Sequence, residues 1–406
     1  MGLLSDNLEV WWKHPQDFTK RNTHREVSML ELFYDLSYVV LVVQLTHILV
    51  NDTSMASVVE YSCLFSFVYW AWFNGSLYHE YFGNLDFKTR LIIFIQMLIL
   101  VGMGVTIGNA FSTQHVAFAV FYGFFFLVMT ILWIRVIHYD KEIKPIVNKY
   151  VLSLGFISIS FFISAFTTLY IARILWVVSI GVSVIDAIVF MARDNKAVNQ
   201  DKLNSFKNIG ESFVERFGLM ATIILGEGVA ALVEGGVEVE LWTVTKAITI
   251  VGSFILIVFV WWLYFDFVSR RLPRKDNFSR SIWLGFHLPL FISLGLISVG
   301  ILNLLITRDF LIADKLLLVK SLIVFLICVM GLKGSVKIPE FARPIYKASY
   351  INKWAAIVGL VLVAIFATNK TVFVWLCVLC LFIPIRVSFR MWIEIRSKMS
   401  FLGNAE

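Results

Sequence analysis

Residues 31–47 read ELFYDLSYVVLVVQLTH, an apolar run that opens with two acids four positions apart. Residues 211–227 read ESFVERFGLMATIILGE and repeat this arrangement at an offset of 180. The offset carries the two acids of the first run onto Glu211 and Glu215 of the second. Ionisable groups in an apolar segment of bilayer length are costly, and they usually face a cavity or a partner. The duplicated pattern therefore predicts a two-fold repeated membrane protein with a polar path near its middle.

The composition supports an integral membrane protein. Of 406 residues, 59% are hydrophobic and only 16% are charged, whereas soluble domains are about half apolar and about a quarter charged. The net charge of +7 does not indicate a nucleic-acid partner, because the basic residues lie in short connections between apolar runs, where they set the orientation of a membrane protein. The expected surroundings are a lipid bilayer, and no nucleic acid is expected.

The apolar runs predict an all-α polytopic fold. About 20 apolar residues cross a bilayer as a helix. On this criterion we predict twelve spans, at 31–50, 56–80, 89–109, 115–138, 150–168, 172–192, 213–234, 242–268, 281–306, 314–333, 353–369 and 371–391. Lysine and arginine concentrate in alternate connections, starting with the N-terminal segment, so the positive-inside rule predicts that both termini are cytoplasmic.

The repeat extends beyond the first span of each half. The segment 86–90, DFKTR, resembles 276–280, DNFSR, at an offset of 190. Each half then holds six helices, and an even number keeps the two repeats parallel in the membrane. The predicted organisation is a cytoplasmic N-terminal segment 1–27, a first repeat 28–192, a cytoplasmic linker 193–212, a second repeat 213–391 and a cytoplasmic tail 392–406.

Glu31 and Asp35 share one face at the start of the first span, because residues four apart are neighbours on a helix. For Glu31, a favourable position at a helix N-terminus and a role in the polar path are both open. Asp35 lies about a turn deeper and needs a partner. A structural ion pair with Arg90 or Arg216 and a transport role are equally consistent with its position.

Gln44 and His47 lie near the other end of the first span. His47 is a candidate proton relay or ligand, because histidine is the residue type that changes charge near neutral pH, although a hydrogen-bonded interfacial histidine is the commoner case. The offset of 180 aligns His47 with Glu227. Glu227 stands between Gly226 and Gly228, and flanking glycines permit close approach of backbone or ligand. We rank Glu227 first among the single candidate positions.

Glu215 directly precedes Arg216, and adjacent helical side chains point about 100° apart. Arg216 is therefore predicted to pair with an acid elsewhere, either Asp35 or Asp266. No spacing of histidine and cysteine indicates a metal site, so neither a metal nor a cofactor is expected. The remaining candidates are two further ion-pair residues and two residues that would extend the polar lining, namely Arg135, Asp186, Asp266 and His287.

Several segments together resemble the bacterial low temperature requirement protein A family. They are VSMLELFYDLSYVV at 27–40, QLTH at 44–47, WAW at 70–72, RLIIFIQM at 90–97, ERFGL at 215–219, ILGE at 224–227 and HLPL at 287–290. The resemblance implies a multi-pass protein of the bacterial cytoplasmic membrane that is linked to growth in the cold. More loosely, FYD at 33–35 is similar to the Phe-Ser-Asp motif of endolysosomal two-repeat potassium channels, whose first helices line the pore.

These observations favour a transporter for a small solute or an ion, coupled to protons or cations, with Asp35, Glu215 and Glu227 as the ion or proton sites. Carboxylates at membrane depth suit cation binding, because desolvation raises their pKa and a nearby arginine lowers it. A cation channel built on the first and seventh spans is the alternative within transport. A membrane-embedded receptor or enzyme is the alternative from another class, but no motif marks a catalytic residue. By analogy with the channels, we expect a homodimer.

Overall fold

The computed structural model describes residues 13–17, 25–50, 52–84, 86–192, 200–237, 242–266, 268–269, 271–306, 312–337 and 343–403. Regular secondary structure in these ranges is helical, apart from an isolated β-bridge between Pro273 and Val336. Of the predicted segments, residues 1–12 and 18–24 of the N-terminal segment and residues 193–199 of the linker lie outside the described ranges.

The described ranges contain thirteen α-helices. They are α1 (Met29–Val50), α2 (Met55–Phe82), α3 (Phe87–Ile107), α4 (His115–Tyr139), α5 (Lys144–Ser164), α6 (Leu169–Ala192), α7 (Gln200–Lys207), α8 (Glu211–Val237), α9 (Val244–Phe265), α10 (Asn277–Ile306), α11 (Ile312–Ser335), α12 (Arg343–Phe366) and α13 (Lys370–Gly403). Capping residues fix the starts of two of these helices. Asp86 and Thr243 accept backbone N–H bonds at the N-termini of α3 and α9, as N-cap residues do.

Ten of the described helical stretches are long and apolar enough to cross a membrane, and they include every long helix except α2 and α13. The exposed faces are also apolar, as Leu98, Val105, Ile131 and Leu152 illustrate. A water-facing surface would be polar at such positions, whereas a lipid-facing surface is apolar. The chain is therefore a multi-pass membrane protein. The count of twelve spans and the cytoplasmic termini remain predictions.

Several helix ends differ from the predicted spans. The predicted tight turns at 168–172 and 369–371 occur slightly earlier, after α5 ends at Ser164 and after α12 ends at Phe366. The last helix runs unbroken from Lys370 to Gly403 through Pro384, so it includes most of the segment that was predicted as a separate tail.

The chain divides into two compact units. Unit 1 comprises Met1–Ile48, Ala56–Arg216 and Lys275–Ser281, and unit 2 comprises Leu49–Met55, Phe217–Arg274 and Ile282–Glu406. Three of the boundaries fall inside α1, α8 and α10, one falls at the start of α2, and one falls in the connection between α9 and α10. The parallel arrangement of two six-helix repeats remains a prediction.

Helix α2 is the most enclosed element of unit 1. Every residue from Phe67 to Phe82 is buried, although this stretch carries Asn74, Ser76, His79 and Glu80. A helix that is buried on all sides needs partners for each polar group it carries. Its polar C-terminal half also explains why α2 falls below the apolarity of the ten candidate spans.

Aromatic rings of α2, α4, α5 and α6 pack against one another in unit 1. Phe161 stacks on Trp176 with centroids 5.2 Å apart and on Tyr122 at 4.2 Å, while Phe67 meets both Trp176 and Phe161 edge-on. Trp176 also donates from Nε1 to the Ser164 hydroxyl. Such offset and edge-to-face contacts add to simple burial, and they hold the helices of unit 1 together.

Gly75 provides a test of the packing between α1 and α2. A Cβ at this position would lie 2.9 Å from Tyr34 Cζ and closer still to its hydroxyl, and Tyr34 is fully buried. We therefore expect Gly75→Ala to lower the stability of the detergent-solubilised protein by about 1–3 kcal/mol, as overpacking does. Thermal unfolding would measure the loss.

Gly181→Ala in α6 is the matched control, because no atom lies within 4 Å of its added Cβ. It should be neutral or stabilising by about 0.5–1 kcal/mol, because alanine gives the unfolded chain less conformational freedom than glycine does, so less entropy is lost when the helix forms. Equal stability of the two variants would contradict the close approach of α1 and α2.

Candidate functional site

A fully buried ion pair joins α1 to the first turns of α8. The guanidinium of Arg216 donates from Nε to Asp35 Oδ2 at 2.9 Å and from Nη2 to Oδ1 at 2.5 Å. The indole of Trp72 on α2 donates to the same Oδ1 at 2.8 Å. Arg216 is 0% exposed and Asp35 is 1% exposed. Two parallel N–H···O bonds orient both groups, and burial makes each dependent on the other.

Glu31 closes the N-terminus of α1. Its carboxylate accepts from the backbone N–H of Ser28 at 2.9 Å, and its own N–H donates to the Ser28 hydroxyl at 3.3 Å. This reciprocal pattern is a capping box. Arg25 adds two bonds to the same carboxylate, at 2.8 and 2.9 Å. The structural interpretation of Glu31 as a helix N-terminal acid therefore accounts for its position.

Arg25 links Glu31 to α2. Its Nη2 also lies 3.3 Å from Glu80 Oε2, and the hydroxyl of Ser212 on α8 donates to that oxygen at 2.6 Å. Burial favours the neutral form of Arg25, but the bond to Glu31 and the attraction of both carboxylates outweigh it and raise the pKa of Arg25. We call Arg25, Glu31, Asp35, Glu80 and Arg216 the charged cluster.

Aromatic and imidazole groups border the charged cluster within unit 1. The hydroxyls of Tyr34 and Tyr38 share a hydrogen bond of 2.9 Å. Tyr34 lies under the Arg216 guanidinium, with its ring centroid 5.9 Å from Cζ, and edge-on to His79. His79 is buried on α2. The cluster therefore has a titratable imidazole beside it, separated from bulk water.

The structure separates the sequence-predicted residues by exposure. The buried ones are Glu31, Asp35, Arg216 and His287. The half-buried ones are Arg135, Glu227 and Asp266. The exposed ones are Gln44, His47, Arg90, Asp186 and Glu215. The charged cluster unites the first three buried residues, whereas Gln44 and His47 lie on the exposed face of α1, and their proposed roles remain predictions.

The predicted partners of Arg216 can now be compared. Its carboxylate partner is Asp35, while Asp266 accepts a hydrogen bond from the Trp262 indole of its own helix α9. Burial raises the pKa of Asp266. Arg135, the other predicted ion-pair cation, donates to the backbone carbonyl of Lys13.

His287 occupies an aromatic cage in unit 2. The Trp283 carbonyl accepts from Nδ1 at 2.6 Å, and this bond leaves Nε2 to accept from the Tyr264 hydroxyl at 3.3 Å. Phe217 and Phe291 complete the cage, with centroids 4.5 and 5.7 Å from the imidazole. Both ring nitrogens are engaged, so the geometry accounts for His287 as a hydrogen-bonded packing residue.

Sequence reasoning missed two members of the charged cluster, Arg25 and Glu80. It also missed three residues that border the cluster, namely Trp72, His79 and Ser212. The Ser-x-x-Glu spacing at 28–31 was a readable signal for the capping box. The WAW motif at 70–72 is one of the segments that carry the family resemblance, but nothing in the spacing shows that an indole N–H would meet Asp35. Within the described ranges, no group of three or more His, Cys, Asp or Glu residues is arranged to hold a metal ion.

A helical bundle with apolar outer faces and buried ion pairs defines a multi-pass integral membrane protein. A family model described as bacterial low temperature requirement A protein (LtrA) matches residues 26–388, and the chain belongs to this family. The chain is also 23% identical, over 289 residues, to the uncharacterized protein RA0937 of Rhizobium meliloti (strain 1021), covering 69% of this chain and 67% of that protein. No solved structure matches the chain.

The buried pair can be tested by a double-mutant cycle. Asp35→Asn leaves the Arg216 guanidinium buried without its carboxylate, and Arg216→Met leaves the carboxylate without its guanidinium. Each single change should cost about 3–5 kcal/mol of unfolding free energy. The double variant should be more stable than the sum of the two losses predicts, because it leaves no uncompensated charge. Unfolding in detergent measures all three variants.

Asp186→Asn on the exposed surface of α6 serves as the control and should change stability by no more than about 0.5 kcal/mol. Strictly additive losses from the two single changes would show that Asp35 and Arg216 do not stabilise each other.

Proposed function

We propose that this LtrA-family protein is a transporter that moves a small solute or an ion across the membrane, coupled to protons or cations. The observation that carries the proposal is the charged cluster. Three carboxylates and the Arg216 guanidinium are buried together, with the half-buried Arg25 beside them, in a bundle whose outer faces are apolar. Charged groups at such depth are expensive, and in membrane proteins they mark substrate paths and proton relays.

The cluster is suited to exchange of partners. Arg25 bonds two carboxylates, those of Glu31 and Glu80, so protonation of one strengthens its bond to the other. Asp35 can take up a proton or a cation only when Arg216 withdraws from it. A transport cycle would then alternate between the paired state and a state in which Asp35 holds a proton or a cation.

The location of the cluster also fits a transport role. Asp35 belongs to the first of the two predicted repeat motifs and Arg216 directly follows the matching acid of the second. In repeated transporters, sites lie where corresponding helices of the repeats meet. We further propose that Glu227, half-buried on α8, is a second ion site, and that the protein acts in the bacterial cytoplasmic membrane, as a homodimer, during growth in the cold.

Ion-driven flux in proteoliposomes tests the proposal. The purified protein should give current or a change of internal pH under a proton, sodium or potassium gradient. Asp35→Asn and Glu227→Gln should lose most of this flux, because each removes an ionisable group from the path, while Asp186→Asn should retain it. Saturation of flux with ion concentration would indicate a carrier, and linear conduction would indicate a channel.

The double variant Asp35→Asn/Arg216→Met separates loss of function from loss of stability. If the pair only stabilises the fold, this variant should recover flux along with stability. If the pair takes part in transport, it should stay inactive although it is folded. Absence of wild-type flux under all three gradients would count against ion-driven transport.

A further inference from the structure

A second buried carboxylate, on α11 in unit 2, has a different environment. Asp314 is the third residue of α11 and is 2% exposed. Its Oδ1 lies 3.4 Å from both the Thr53 hydroxyl and Asn303 Nδ2. Its Oδ2 is buried and accepts no hydrogen bond from any group in the described ranges. Only long contacts, all on one oxygen, therefore offset the burial of this carboxylate.

A second oxygen acceptor faces the Asn303 amide that Asp314 contacts. The carbonyl of Leu49 lies 3.5 Å from Asn303 Nδ2, the atom that also faces Asp314. Leu49 is the penultimate residue of α1, so its carbonyl has no partner four residues on in that helix. The C-terminus of a helix carries a partial negative charge. A carboxylate and a helix C-terminal carbonyl thus converge on one amide.

Within the described ranges, no direct bond from a cationic side chain reaches the Asp314 carboxylate or the Leu49 carbonyl. The neighbouring Lys315 donates to the Ala367 carbonyl at 3.0 Å, and Asp52 accepts from the backbone of Ser54 at 2.9 Å. The N-terminus of α11 favours a negative charge at Asp314, but such an effect is about 0.3–1 kcal/mol. A buried ionised carboxylate costs several times more unless it is paired.

We propose that Asp314 binds a monovalent alkali cation through its unpartnered Oδ2, together with Thr53 and the Leu49 carbonyl. The ligands are oxygens of a carboxylate, a hydroxyl and a carbonyl group, which hard cations prefer. One carboxylate balances one positive charge. Thr53 is half-buried, and Asp52 and Ser54 beside it are exposed, so an ion can reach the site from water. Binding here requires no transport and stands apart from the charged cluster.

Cation-dependent stability tests the site without any flux assay. The full-length protein in detergent should melt at a higher temperature as sodium or potassium chloride replaces choline chloride at constant ionic strength, because a ligand that binds only the folded state stabilises it. Asp314→Asn should abolish the shift. Thr53→Ala removes one donor from a half-buried position and should weaken the apparent affinity several-fold while the protein still folds.

Asp52→Asn is the matched control, since it changes an exposed acid in the same connection, and it should keep the wild-type cation response. The proposal is overturned if neither alkali cation shifts the wild-type melting temperature, if only calcium does, or if Asp314→Asn or Thr53→Ala responds as the wild type does. These outcomes are independent of transport, so they do not decide whether the charged cluster carries ions.

Discussion

The bond between Asp35 and Arg216 constrains more of unit 1 than any single hydrophobic contact. A guanidinium with no exposed surface must keep its carboxylate partner, and this carboxylate must also meet the Trp72 indole. The start of α1, the middle of α2 and the second turn of α8 are therefore held within hydrogen-bond reach of one another. Hydrophobic burial is non-directional, so it would tolerate sliding of these helices that the bidentate pair does not.

A second layer of bonds extends this constraint to the residues before α1. Glu31 serves both as a capping residue for its helix and as an acceptor for Arg25. Arg25 in turn reaches Glu80, which accepts from Ser212 at the start of α8. The same helices are thus bonded twice, a turn apart along α1. These bonds give partners to Glu80 and to the Trp72 indole in the buried part of α2.

The sequence was sufficient to predict the class of fold, but not the environment of each acid. Apolar runs set the helices because their length matches the bilayer, and the membrane class follows from composition. The repeat offset equates Asp35 with Glu215, yet Asp35 is buried and Glu215 is exposed. In the second motif the buried charged residue is Arg216, one position after Glu215. Its side chain points about 100° away from that of Glu215 and faces inward. Spacing alone cannot fix which of two neighbours meets a helix brought close by tertiary packing.

The number of hydrogen bonds that a buried carboxylate accepts distinguishes the two acidic sites. Asp35 accepts three bonds of 2.9 Å or less from two different side chains, so its charge is already compensated. Any ion that binds there must first displace Arg216. Asp314 accepts only long bonds on one oxygen, and a cation could join it without breaking an ion pair. Exchange at the first site therefore requires a conformational change, whereas binding at the second requires only desolvation of the ion.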